Sequence, residues 1–244
     1  MKEFAFKPVD PEGEDTLKTI ALANHFNRWM YDSIKSFCQG NILEIGSGLG
    51  NISEFFLDDQ ASILLTDIRE NYCEFLGSRF TGRKTLLGID NMDLVDNKFE
   101  INFGKYFNRF DTVFALNVVE HIFDDKTALS NCYKLLKANG HLIILVPAYQ
   151  WLFNNFDREL EHYRRYTRKR LESLFLSCDL KIAHSQYFNA AGMAGWFFSG
   201  KMQHHKIIPP GQIRLFNRMV AVFKLFDKVI FNSFGLSVIT VGRK

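Results

Sequence analysis

The chain lacks most of the features that would assign it quickly. Its four cysteines, Cys38, Cys73, Cys132 and Cys178, stand apart, with no C-x-x-C pair and no histidine at ligand spacing. A disulfide framework does not follow from them, no metal is expected, and the thiols read as reduced core residues. No apolar run reaches the roughly 18 residues of a membrane-spanning helix. The stretch Met1 to Pro8 has neither a long apolar core nor a cleavage site, so no signal or transit peptide is expected and the expected compartment is cytoplasmic. An excess of one charge is also missing: a formal +3 over 244 residues gives no reason for a nucleic-acid partner.

What is present argues for a folded protein. Hydrophobic residues make up 47% of the chain, including 25 phenylalanines, which leaves large aromatic surfaces to bury. The length suits one α/β domain over residues 1–244 with an elaboration. Nothing in the sequence sets an oligomeric state.

The chain is organised around Asn41 to Ser53, where an apolar strand runs through Gly46, Gly48 and Gly50 into a helix start. Glycines there let a ligand lie against the backbone, and the helix aims free N–H groups at the same spot. The spacing is G-x-G-x-G. It differs from the dinucleotide fingerprint G-x-G-x-x-G, and no Lys-Ser/Thr pair follows as a phosphate loop requires.

Around this turn, helices and strands alternate. A helix is expected over 14–37, lying over the site, followed by a helix over 51–57 and a strand over 61–66 that ends at Asp67. A helix over 70–80 and a strand over 84–89 lead to Asp90, Asn91 and Met92, and a fourth strand covers 110–117. A helix over 124–137 stops at Asn139-Gly140, and a fifth strand covers 141–146. Five alternations imply a parallel sheet with right-handed crossovers and helices on both faces. Asp67, at the carboxyl end of the second strand, is placed to accept both hydroxyls of a ribose.

Glu44 before the glycines, with Asp111, Glu120 and His121 spaced as in an fDxVxxxxvlEHi stretch, resembles the class I S-adenosylmethionine-dependent methyltransferases of small-molecule type. The resemblance implies a seven-stranded, mostly parallel Rossmann-like sheet with an antiparallel last strand, and S-adenosylmethionine as cofactor. Carried onto this chain, it implies cofactor contacts from Glu44, Gly46, Ser47, Gly48 and Gly50, from Asp67 and Ile68, from Asp90, Asn91 and Met92 at the adenine, and from Asn117 near the sulfonium.

Beyond the fifth strand, Trp151 to Arg170 includes His162-Tyr163-Arg164-Arg165-Tyr166, which resembles the hYRRYt segment of a set of bacterial methyltransferases. His162, His121 and Tyr166 are the candidate catalytic groups. Arg164, Arg165, Tyr163 and, further on, Trp196 are the candidate substrate contacts. For 162–166 a bracing role is the alternative.

Strands are expected over 180–187 and 236–241. Residues 188–235 between them form a cap insertion far longer than a hairpin loop, with an amphipathic helix over 212–231. Packing on the domain is the first reading of that helix, and peripheral membrane contact is the second.

The expected function is methyl transfer to a small-molecule, lipid-linked or sugar-linked acceptor. The alternatives are an NAD(P)-dependent oxidoreductase, since an acidic residue about 20 positions after the glycines also suits NAD, and a non-catalytic adenosylmethionine-binding or membrane-peripheral module.

Overall fold

A computed structural model describes residues 23–198 and 210–244. Its frame is a seven-stranded sheet in the order β3-β2-β1-β4-β5-β7-β6. The strands are β1 (Ile42–Ile45), β2 (Ile63–Asp67), β3 (Leu86–Asn91), β4 (Phe110–Leu116), β5 (Leu136–Pro147), β6 (Lys181–Phe188) and β7 (Ser237–Arg243). The pairings from β3 to β5 are parallel, and β7 runs antiparallel to both β5 and β6. Strand order reverses between β1 and β4, so the crossovers leaving these strands part and open a crevice at their carboxyl ends.

Burial on both faces explains the apolar runs of the central strands. Leu43, Val113, Leu142 and Ile144 pack on one face with helices α5 (Asp125–Leu135) and α7 (Arg168–Leu176). Ile42, Phe114, Ile143 and Ile239 pack on the other, under α1 (Asn24–Ile34), α2 (Ser53–Asp58) and α3 (Glu70–Arg79). Neighbouring residues of one strand thus serve opposite cores, as the two-residue side-chain period requires.

Three short helices were not visible as periodicity: α4 (Phe99–Phe103), α6 (Asn155–Glu159) and α8 (Ala190–Phe197). β3 begins and ends two residues later than expected, because Asp90 and Asn91 continue the ladder opposite Thr66 and Asp67. The expectations for 14–22 and 199–209 lie outside the described residues. The part of the first helix that is described has Trp29 buried against Phe188 and Arg28 paired with Asp32.

Between β6 and β7, α9 (Pro210–Val229) lies against α1. Phe216 meets Phe26 edge-on, and Lys224 pairs with Asp32. Helical spacing sets Asp227 on the polar face and Val229 on the apolar face of α9, and Asp227 departs from its place. It is buried, and its carboxylate accepts the N–H groups of Asn189 and Ala190 at the start of α8. Val229, expected on the packed face, is exposed.

Within β1 the one charged residue, Glu44, is buried and accepts the hydroxyl of Ser53. Burial raises its pKa to about 7 against an ordinary 4.5. The folded state therefore binds more protons than the unfolded chain between these values, and this group's contribution to stability falls as pH rises through that window. In urea melts without cofactor, Glu44→Gln should gain on the wild type by about 1–3 kcal/mol between pH 4.5 and pH 8. A stability difference independent of pH would show that folding leaves the Glu44 pKa where it is in the unfolded chain.

Candidate active site

A cavity of about 1640 Å3 occupies the crevice at the strand ends. One half is built by β1, β2 and the turns that follow them. Gly46 has φ +71° and a Cβ there would come within 2.4 Å of Val118, so only glycine lets the turn close on β4. Gly48 N–H donates to Asp67 Oδ2 at 2.9 Å, and Arg69 N–H donates to Oδ1 at 2.9 Å. Two bonds leave lone pairs on the Asp67 carboxylate for hydroxyl donors in the cavity. Glu44, Gly46, Ser47, Gly48, Asp67, Ile68, Met92 and Asn117 all line this space, as do Phe26, Asn27 and Met30 of α1. Asn117 holds φ +55°, a left-handed conformation that asparagine adopts more readily than most residues.

Three expected cofactor contacts stand elsewhere. Gly50, at φ +77°, is packed beside Phe80 and does not reach the cavity. Asp90 accepts Tyr106 Oη at 2.7 Å and Lys105 Nζ at 2.9 Å, away from the cavity. Asn91 donates to the carbonyl oxygens of Asp67 and Ile68, so it ties β3 to β2. The acidic side chain that does border the cavity after β3 is Asp93, beside Met92 and Leu94. The two-residue extension of β3 causes this shift, and it was not signalled by hydrophobic pattern.

The other half is built from the turn Val119–His121 and the 154–166 segment, which are brought together when Tyr163 N–H donates to Glu120 O. Asp157 organises the segment. It completes a capping box with Asn154 at the start of α6, and its Oδ1 accepts His162 Nδ1 at 2.9 Å and Arg165 Nε at 2.8 Å. Burial alone would raise the Asp157 pKa, but the bond from His162 and the charge of Arg165 outweigh it and hold it below the usual range. Burial lowers the pKa of His162 against the opposing pull of Asp157, so the ring is neutral at pH 7. His121 is open to the cavity, yet the surrounding wall desolvates its imidazolium, and His162 and Arg69 add repulsion. The two rings meet edge-on at 4.6 Å. Glu120, fully buried between them, has its pKa raised to about 8 by burial, with Arg165 opposing.

The five residues of His162 to Tyr166 therefore divide by role. His162, Tyr163 and Arg165 border the cavity. Arg165 also lies 4.7 Å over Trp196, which packs on Phe156 and forms part of the same wall. Arg164 does not reach it: its guanidinium donates to Asp125 Oδ2 and Phe123 O, both at 2.7 Å. Tyr166 is a core residue whose hydroxyl donates to Asp125 at 2.8 Å. The places expected for Arg164 at the substrate and Tyr166 in catalysis are thus occupied by braces of α5. Glu120 and Asp157 were not among the expected site residues. Asp157 carried one signal, the Asn154-x-x-Asp157 capping pattern.

This fold and this glycine turn define a class I methyltransferase architecture. A family model described as "Methyltransferase domain" matches residues 43–142. A probable polyketide synthase 22 of Dictyostelium discoideum is 30% identical over 138 residues, which is 51% of this chain. The chain spans 5% of the length of that relative. A S-adenosylmethionine-dependent methyltransferase structure from Archaeoglobus fulgidus superposes with TM-score 0.58 at 17% identity, covering 89% of this chain and 94% of the other. The 1,6-didemethyltoxoflavin-N1-methyltransferase of Burkholderia thailandensis, solved with S-adenosylhomocysteine, superposes with TM-score 0.55 at 15% identity, covering 93% of this chain and 80% of the other. The family model covers the chain from β1 into β5, and the fold as a whole is that of the S-adenosylmethionine-dependent methyltransferases.

Replacing Asp67 by Ala should weaken S-adenosylhomocysteine binding by about 1–3 kcal/mol in calorimetry. Unchanged affinity would place the ribose elsewhere. Tyr166→Phe should cost about 1 kcal/mol in thermal or urea melts and leave turnover intact. A drop in turnover at unchanged stability would restore a catalytic role to the hydroxyl.

Proposed function

We propose that the enzyme methylates a small-molecule, lipid-linked or sugar-linked acceptor whose reacting atom lies beside Glu120, His121 and His162. The observation that carries this reading is that the glycine turn and this polar cluster open into one cavity. S-adenosylmethionine supplies, when bound, a methyl group on a sulfonium that departs as a neutral thioether. The chain's own residues then have two tasks, to align the acceptor and to take its proton where it has one to lose.

Gly46 to Gly48 and Asn117 receive the methionine end, Asp67 the ribose, and Met92 with Asp93 the adenine edge. His162 is the proton acceptor: it is neutral, held in orientation by Asp157 on Nδ1, and leaves Nε2 for the acceptor. The remaining wall favours an acceptor with an apolar body, since Phe156, Tyr163, Trp196, Phe216 and Met219 line it. The likeness to a polyketide synthase supports polyketide-like molecules within the small-molecule acceptor class. No described helix is long and apolar enough to cross a membrane. A lipid-linked acceptor would approach beside α9, whose Leu215 and Met219 border the cavity and are exposed.

His162→Ala should leave S-adenosylmethionine affinity unchanged and lower turnover by about 10^2–10^4-fold with an acceptor that must lose a proton. Parallel losses of melting temperature and turnover would mark His162 as a brace.

A further inference from the structure

The Glu120 carboxyl is fully buried, and neither of its oxygens has a hydrogen-bond partner from another residue. It nevertheless borders the cavity. Folded proteins pair nearly all such atoms, and an orphaned carboxyl facing a cavity signals an absent water, ion or ligand group.

Its neighbours indicate which of these fits. One donor atom each from Glu120, His121 and His162 lies within 4.8 Å of the other two. A cation with bonds of about 2.1 Å needs its donors ~3–3.4 Å apart, a closure within reach of side-chain torsions. One ring is already held through a single nitrogen: His162 Nδ1 is bonded to Asp157 Oδ1 at 2.9 Å. A carboxylate behind an imidazole is the arrangement that fixes the tautomer and aim of a metal-bound histidine. Asp157 also balances the charge of Arg165, which would otherwise oppose a cation here.

We propose that Glu120, His121 and His162 bind one divalent transition-metal ion, with its open coordination positions facing the acceptor side of the cavity. Two imidazoles and one carboxylate suit ions of the Zn2+ and Co2+ type over Mg2+ or Ca2+, which prefer oxygen ligands. The inference rests on the reading of this cluster as the acceptor's end of the site. With the ion bound, His162 is a ligand in place of the proton acceptor, and an acceptor hydroxyl offered to the cation would be acidic enough to lose its proton to water before methyl transfer.

The test uses tag-free full-length protein, stripped with chelator and titrated with Co2+ and then Zn2+. One equivalent of Co2+ should bind per chain, giving visible ligand-field absorption without thiolate charge-transfer bands, and Zn2+ should displace it. Glu120→Gln and His162→Gln should each weaken binding at least about tenfold, with S-adenosylhomocysteine affinity kept. Absence of saturable binding, a thiolate spectrum, or one-equivalent binding that both variants retain overturns the proposal. Should the variants fail to fold, the wild-type spectrum decides by its nitrogen–oxygen or sulfur signature. If the wild type binds no cation while His162→Ala still loses turnover, the metal is discarded and methyl transfer with an imidazole base is kept. Cation binding at these residues without methylation of any acceptor would leave the site standing and count against the methyl-transfer reading alone.

Discussion

Asp157 accepts hydrogen bonds from Asn154 N, His162 Nδ1 and Arg165 Nε while fully buried, and a carboxylate placed there without such partners would cost several kcal/mol. The geometry of the acceptor half follows from satisfying that one charge. Arg165 must turn inward to meet it, which aims its guanidinium at Ala148 O and Trp196. His162 must present Nδ1 to it, which turns the opposite nitrogen outward. Tyr163, between them in sequence, is then free to dock on Glu120 O and join the segment to the end of β4. Removing the carboxylate would release three elements together, because each hydrogen bond supports the orientation of the next.

The cofactor half rests on different physics. Its shape comes from backbone conformations and from the switch in strand order between β1 and β4, and its polar groups are mostly main-chain N–H. The two halves meet at Asn117 and the Val119–His121 turn, where β4 delivers chain to both. The junction of the two halves is thus carried by a strand whose core residues, Val113, Phe114 and Ala115, are completely enclosed. A rigid strand of this kind suits a site that must hold two reactants in line.

Much of the sheet was legible in the sequence because central strands buried on both faces must be continuously apolar, and because glycines at Gly46 and Gly48 mark a turn no other residue fills as well. Asp67 was readable for the same reason, as the polar residue ending such a run. The end of β3 was not, since Asp90 and Asn91 look like a turn and yet extend the strand. Periodicity cannot see a ladder carried by polar residues. The acceptor side was legible in part. The segment 162–166 stood out, but which of its side chains face inward is set by Asp125 and Asp157, and nothing in local spacing ranks Arg165 over Arg164. Likewise Glu120, His121 and His162 form a cluster only through the docking of Tyr163 on Glu120, some 40 residues apart in the chain, a distance at which spacing rules for ligands have no reach.

Asp227 has a consequence for how such an enzyme changes over generations. Its carboxylate holds the two N–H groups that open α8, and Leu236 N–H donates to Asn189 O in the same place. Asn189, Asp227 and Leu236 thereby clamp the exit from β6, the end of α9 and the entry to β7 together, and the intervening stretch is the one between Asn189 and Asp227. Length and composition of the intervening stretch can drift at a cost that grows only slowly with its length, without disturbing the antiparallel pair beneath.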